Sequence, residues 1–197
     1  EIMRNKKVIE LTYLSVFIAI MFVMAWVPFL GFIPLGFASV TIIHIPVLIA
    51  IFVLGEKLGI ITGLTFGLLS WLIAAFRPTQ PLDPFFVNPL ISVLPRLLFA
   101  ILAVFFYLYL RRLFKNNYIS MVITSIIGTL IHSVLVLGAL VVLEFPNITE
   151  TGTMGAALKV ALVTLGTISL LEAAAAAVIA PFISKGLILF KENNKSI

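Results

Sequence analysis

NPLISVLPRLLFAILAVFFYLYL, residues Asn88–Leu110, is long enough to cross a bilayer and holds one charged residue, Arg96. About 20 predominantly apolar residues span a hydrocarbon core of roughly 30 Å. A guanidinium near the centre of such a helix costs roughly 2.5 to 3.5 kcal/mol on insertion scales, so it normally faces a partner, a cavity or a ligand. Arg96 is therefore the candidate anchor for an anionic group on a substrate.

Working outward from this run, the rest of the 197-residue chain has the same character. Hydrophobic residues make up 62% and charged residues 11%, against roughly 25% charged in a soluble domain. The chain reads as a polytopic, all-α integral membrane protein in one domain, with loops too short to hide a soluble catalytic domain. Apolar runs punctuated by Gly, Pro and charge place six helices at about 9–27, 41–55, 58–76, 89–113, 118–143 and 156–190. The second is short, its start broken by His44 and Pro46, so it is expected to tilt or to stay partly unwound against its neighbours. Pro181 is expected to kink the sixth. The first run has no small-x-small cleavage site and further spans follow it, so it should remain as a helix, with Met3 as the natural start.

Charge sets the expected orientation. Arg4, Lys6, Lys7, Lys57, Arg111, Arg112, Lys115, Lys185, Lys191 and Lys195 all fall on one side of a six-crossing chain, with Arg77 in an opposite loop. The positive-inside rule then makes both termini cytoplasmic. The net charge of +5 meets anionic lipid headgroups at helix ends and not a nucleic acid. On the outer side lie three connections: an apolar Gly- and Pro-rich segment, Pro28–Val40, resembling a lid; a proline-stiffened one, Arg77–Val87; and a polar, mobile one, Glu144–Gly155.

Polar groups on three helices should face inward. Asn88, Ser92 and Arg96 recur every four residues and share a face. Thr124 or Ser125, Gly128, Thr129 and His132 form a small polar stripe on the fifth helix, and Ser169 and Glu172 stand three apart on the sixth. Arg96 either binds a ligand or is neutralised by Glu172 in a structural ion pair, an arrangement that stabilises poorly relative to apolar packing. His132 either meets a ligand or makes a helix–helix hydrogen bond, worth about 0.6 kcal/mol on average. His44 caps a helix, contacts substrate or meets water. Trp26, Trp71, Phe76, Phe85 and Phe86, near the outer ends, offer apolar cover for a ligand, Trp71 first among them, with interfacial anchoring the alternative for Trp. Gly59, Gly63 and Gly67 form a bare ridge for close helix packing, and Ser15 and Ala19 are a weaker small-residue pair on the first helix.

Several chemistries lack their residues. There is no cysteine, no phosphate-binding G-x-x-x-x-G-K-[ST], and no H-E-x-x-H or G-x-S-x-G motif. Two separate histidines and one buried carboxylate lack the spacing of a metal site. An intramembrane lipid or prenyl enzyme would need clustered acids, or a nucleophile with its base.

Two runs, TIIHIPVLIAIFVLGEKLGIITGLTFGLLSWLIAAF (Thr41–Phe76) and FFVNPLISVLPRLLFA (Phe85–Ala100), together with six helices and basic ends, resemble the substrate-binding S components of energy-coupling factor (ECF) transporters, above all their pantothenate-specific group. The resemblance is diffuse after about residue 115. It implies a multi-pass protein of a prokaryotic cell membrane that captures a vitamin from outside. It also implies release inward together with a transmembrane coupling protein, EcfT, and two ATPases, EcfA and EcfA′. ATP and Mg would be used by those partners, and no cofactor by this chain.

Two surfaces follow from the resemblance. The family's A-x-x-x-A docking pattern would correspond to Ser15 and Ala19, the first alanine having become serine. The family's gate between the first two helices would correspond to Pro28–Val40, with Gly31, Pro34 and Gly36 as its pivots. Pantothenate carries one carboxylate, hydroxyls, an amide and a gem-dimethyl group. It asks for one cation, several hydrogen-bond partners and an apolar wall. Arg96 would take the carboxylate, Asn88, Ser92 and His132 the hydroxyls or amide, and Trp71 or Phe85 the methyls. The alternatives are a pyridoxine or hydroxymethylpyrimidine compound read by His132 and Glu172, or an autonomous proton-coupled carrier relaying through the same two residues.

Overall fold

A computed structural model describes residues 2–27, 29–35, 38–78, 82–148 and 154–193. It contains six helices, α1 (Ile2–Trp26), α2 (His44–Leu54), α3 (Glu56–Phe76), α4 (Pro89–Leu113), α5 (Asn117–Ile148) and α6 (Met154–Asn193). Two short strands, β1 (Phe32–Leu35) and β2 (Ala38–Thr41), lie between α1 and α2. Among the described residues, five helices are long and apolar enough to cross a membrane.

Helix α2 is the exception and the centre. Its 11 residues rise about 16 Å at 1.5 Å per residue, too little to cross the hydrocarbon. His44 through Phe52 are all buried, and the helix touches each of the other five. A helix apolar on every side is stable only inside a bundle. Pro46 is tolerated because it sits in the first turn, where no intrahelical donor is needed.

The ends of the bundle are fixed by cations. Lys191 lies over the Tyr13 ring and Lys185 over Tyr118, so the start of α1, the start of α5 and the end of α6 share one end. At the other end, Arg77 Nη1 donates to the Trp26 carbonyl at 2.7 Å and its guanidinium lies 5.4 Å from the Trp26 ring. That carbonyl closes α1, where a cation also meets the negative end of the helix dipole.

The glycine ridge of α3 explains its packing. A Cβ on Gly63 would stand 2.2 Å from the Ala100 Cβ, and one on Gly67 2.9 Å from the Val93 Cα, so both admit α4. Gly59 does the same for Ile51 of α2. The ridge therefore serves packing within the chain.

Three expectations are corrected here. The apolar first connection contains a β-hairpin, with Phe32 opposite Thr41 and Leu35 opposite Ala38. Residues 36 and 37, between the two strands, lie outside the described residues. The third connection is shorter than Glu144–Gly155, because α5 runs on to Ile148 and α6 begins at Met154; residues 149–153 lie outside the described ones. The second segment begins only at His44, because residues up to Thr41 pair as strand.

Candidate functional site

Toward the hairpin end, four elements bring buried polar side chains together. Arg96 on α4 is 3% exposed, His132 on α5 3%, Glu172 on α6 6%, and His44 at the start of α2 0%. Ser92, Thr129, Ser133 and Ser169 are buried on the same helices.

Local sequence accounts for how Arg96 is held. Pro95 has no N–H to give the carbonyl of Ile91, four residues earlier. Arg96 Nη1 takes over that role, donating to Ile91 O at 2.6 Å. The guanidinium has two aromatic rings beside it, with Cζ 5.0 Å from the Phe86 centroid and 5.7 Å from that of Phe66, distances at which cation–π attraction operates. Its Nε has no hydrogen-bond partner.

Phe66 also packs on His132, ring centroids 5.5 Å apart, and Phe99 meets His132 edge-on at 5.2 Å. His44 stacks on His132 at 5.8 Å with 17° between planes. Neither ring nitrogen of His132 has a hydrogen-bond partner. The same holds for His44, although the Thr41 backbone lies alongside. Thr129 Oγ1 is likewise unpartnered. His44 is thus neither a helix cap nor solvated; it is inside.

An unsatisfied buried polar group costs about 1 to 3 kcal/mol. Native interiors hold only a few per hundred residues, and each calls for a reason. Four imidazole nitrogens, a guanidinium Nε and a hydroxyl gathered in one layer of the bundle are the pattern of a site built to receive polar groups.

Glu172 is differently engaged. Its Oε1 accepts from the Thr41 backbone N–H, and the Ser133 hydroxyl also bonds the carboxylate. Arg96 feels the Glu172 charge electrostatically, but the direct hydrogen bond described for its guanidinium goes to Ile91.

The remaining expected site residues surround this cluster. Asn88 Oδ1 accepts from Leu90 N–H at 3.0 Å as the N-cap of α4, the role Asn fills at helix starts. Ser92 donates to the Asn88 carbonyl at 3.1 Å. Trp71 Nε1 donates to Val87 O at 2.9 Å, pinning the 3₁₀ turn Asp83–Val87 to α3. That turn presents Phe86, and not Phe85, to Arg96.

Gly31 is buried, and a Cβ there would stand 2.4 Å from the Met24 carbonyl. Pro34 lies in β1 opposite Ser39, and Gly36 lies outside the described residues. Ser15 and Ala19 are exposed on α1, where the Ser15 hydroxyl is turned back onto the Leu11 carbonyl at 2.8 Å.

Sequence reasoning missed four contributors: Phe66, Phe99, Ser133 and the Thr41 backbone. The first two looked like ordinary core. Ser133, adjacent to His132, was the one a polar-stripe reading could have included.

Residues 10–184 match the family described as "ECF transporter, substrate-specific component". The chain belongs to that family, which places it among transporter subunits and not among enzymes. It is 35% identical over 104 residues to the pantothenate transporter PanT of Leuconostoc mesenteroides subsp. mesenteroides, a match covering 51% of each protein. The chain thus spans about half the length of that curated relative. Its fold is similar to the crystal structure of the S-component for biotin from an ECF-type ABC transporter. The TM-score is 0.62 at 22% identity, over 92% of this chain and 93% of the other.

Proposed function

We propose that this chain captures pantothenate at the outer face of a prokaryotic cell membrane and delivers it inward as the S component of an ECF importer. The observation that carries the reading is the buried Arg96 beside the unpartnered His44–His132 pair. One cation answers one carboxylate. His44, His132 and Thr129 answer the hydroxyls and amide, while Phe66, Phe86 and Phe99 supply an apolar wall for the gem-dimethyl group. The partial match to a pantothenate transporter adds support.

In this reading the end holding both termini is cytoplasmic, in keeping with Lys7, Lys57, Arg111, Arg112, Lys115, Lys185 and Lys191. Exposed Ser15 and Ala19 lie on the surface offered to EcfT, and EcfA and EcfA′ hydrolyse ATP. Isolated in liposomes, the chain is not a carrier. A neutral heteroaromatic vitamin read by His132 and Glu172 is less well supported, because Glu172 already accepts from Thr41 and Ser133.

The test is competition of a vitamin panel against labelled pantothenate on the purified protein. Pantothenate is expected to displace the label in the nanomolar to micromolar range, and pyridoxine, hydroxymethylpyrimidine and biotin are not. Preferential displacement by a heteroaromatic compound overturns the assignment.

The orphaned nitrogens make a second prediction. His132→Leu comes close to the volume of the imidazole while removing two unsatisfied groups. It is expected to stabilise the ligand-free protein by about 1 to 2 kcal/mol. Pantothenate affinity is expected to fall about tenfold, near 1.4 kcal/mol. Thermal unfolding in detergent and calorimetry read the two effects separately; unchanged affinity removes His132 from the site.

A further inference from the structure

The geometry points to Glu172 as a positioning residue that latches the β1–β2 hairpin over the polar cluster, and not as a contact for the substrate. This deepens the function proposed above and rests on it only where a ligand is measured.

An isolated two-stranded ribbon is marginally stable and needs outside anchors. Two are visible. At the base, Gly31, which closes the ladder by accepting the Ile42 N–H at 2.9 Å, lies so close to α1 that a Cβ there would stand 2.4 Å from Met24 O. The second anchor is Glu172.

The register shows why the second anchor works. Gly31 and Ile42 form a hydrogen-bonded pair, so the next pair, Phe32 and Thr41, is non-hydrogen-bonded. In an antiparallel ladder the N–H groups of such a pair point away from the partner strand. Thr41 N–H therefore lies on the free edge of β2, where an unpaired donor must find another acceptor. It finds Glu172 Oε1, 131 residues away in the chain.

The carboxylate also joins the gate to the site. It is bonded by Ser133, the residue after His132, and lies in the field of Arg96. Its acceptor capacity faces the hairpin and α5. By this proposal a ligand held by Arg96 leaves when the Thr41–Glu172 bond opens and β2 is released from α6. Glu172 thereby sets the rate of escape more than the strength of contact.

The experiment exploits the absence of native cysteine. Spin labels on Leu35→Cys in the hairpin and Leu170→Cys on α6, 58% exposed, report the hairpin position by pulsed electron resonance without any ligand. The parent double-cysteine protein is expected to give one narrow distance. Glu172→Ala and Thr41→Pro are each expected to broaden and lengthen it. Thr41→Pro removes the N–H together with the threonine side chain, so it is read against Thr41→Val, which loses the hydroxyl but keeps the N–H and is expected to retain the narrow distance; proline is tolerated where an edge strand's donor faces outward. Glu172→Gln keeps an acceptor oxygen and is expected to retain the narrow distance.

In parallel, dissociation of labelled pantothenate is expected to accelerate at least tenfold in Glu172→Ala and Thr41→Pro, with association changed less than threefold. An unchanged distance in either of these variants overturns the latch. So does a Glu172→Gln protein as disordered as Glu172→Ala, which would assign the effect to charge. Absence of pantothenate binding in the parent protein defeats the substrate assignment while leaving the distance result to decide the latch.

Discussion

Arg96→Ala is expected to raise the dissociation constant for pantothenate at least 100-fold, about 2.7 kcal/mol. A hydrogen bond to a charged group contributes about 1.5 to 3 kcal/mol, and a guanidinium offers a carboxylate two in parallel. No other cation is described in the cluster, so none substitutes. Arg96→Lys is also expected to lose most of the affinity, because a point charge on a flexible stem cannot reproduce the planar fork.

The same change has a structural cost that must be separated. Ile91 O loses its donor, at about 1 to 3 kcal/mol of stability. Calorimetry on protein with an intact unfolding transition isolates the binding effect. Unchanged affinity in folded Arg96→Ala would sink the carboxylate role.

Gly63→Leu is expected to be the most damaging packing substitution. Adding only a methyl sets two effects against each other. Alanine gains about 1 kcal/mol of helix propensity over glycine, while overpacking costs about 1 to 3 kcal/mol. The neighbour at 2.2 Å is the Ala100 Cβ, which has no rotamer to yield, and the Arg96 carbonyl follows at 3.3 Å. Gly63→Ala is therefore destabilising by a modest net amount, recoverable by Ala100→Gly as a coupled pair.

Leucine adds further carbons with nowhere to go. It must push α3 from α4, and a loss of more than about 3 kcal/mol is expected. Denaturant unfolding in detergent micelles measures it. A Gly63→Leu protein as stable as the parent contradicts the close approach of the two helices.

How much of this was legible depended on the range of the interaction. Helix α4 runs from Pro89 to Leu113, as its apolar run does, because proline favours the first helical turn and Arg111 and Arg112 close the last. The inward stripe from Thr124 to His132 followed from helical spacing, and its residues are buried. The hairpin was missed because FIPLGFASVT was read as apolar loop, although its Gly-Phe pair between short strands is a two-residue turn signal. The choice of Phe86 over Phe85 turns on the twist of one 3₁₀ turn pinned by Trp71, which spacing cannot supply. The partnership of Pro95 with Arg96 was readable in principle: a proline inside a helix frees a carbonyl, and the next residue carried the donor. Glu172 was recognised as buried, but its partner is a backbone N–H in a strand that the sequence did not reveal.

Helix α2 carries one further consequence. Among the described residues five helices are long enough to cross roughly 30 Å of hydrocarbon, whereas α2 rises only about 16 Å over its 11 residues. Its position is therefore set by its neighbours and not by the bilayer: because it touches all five other helices, a displacement of any one of them reaches α2 and, through it, the His44 ring at its start.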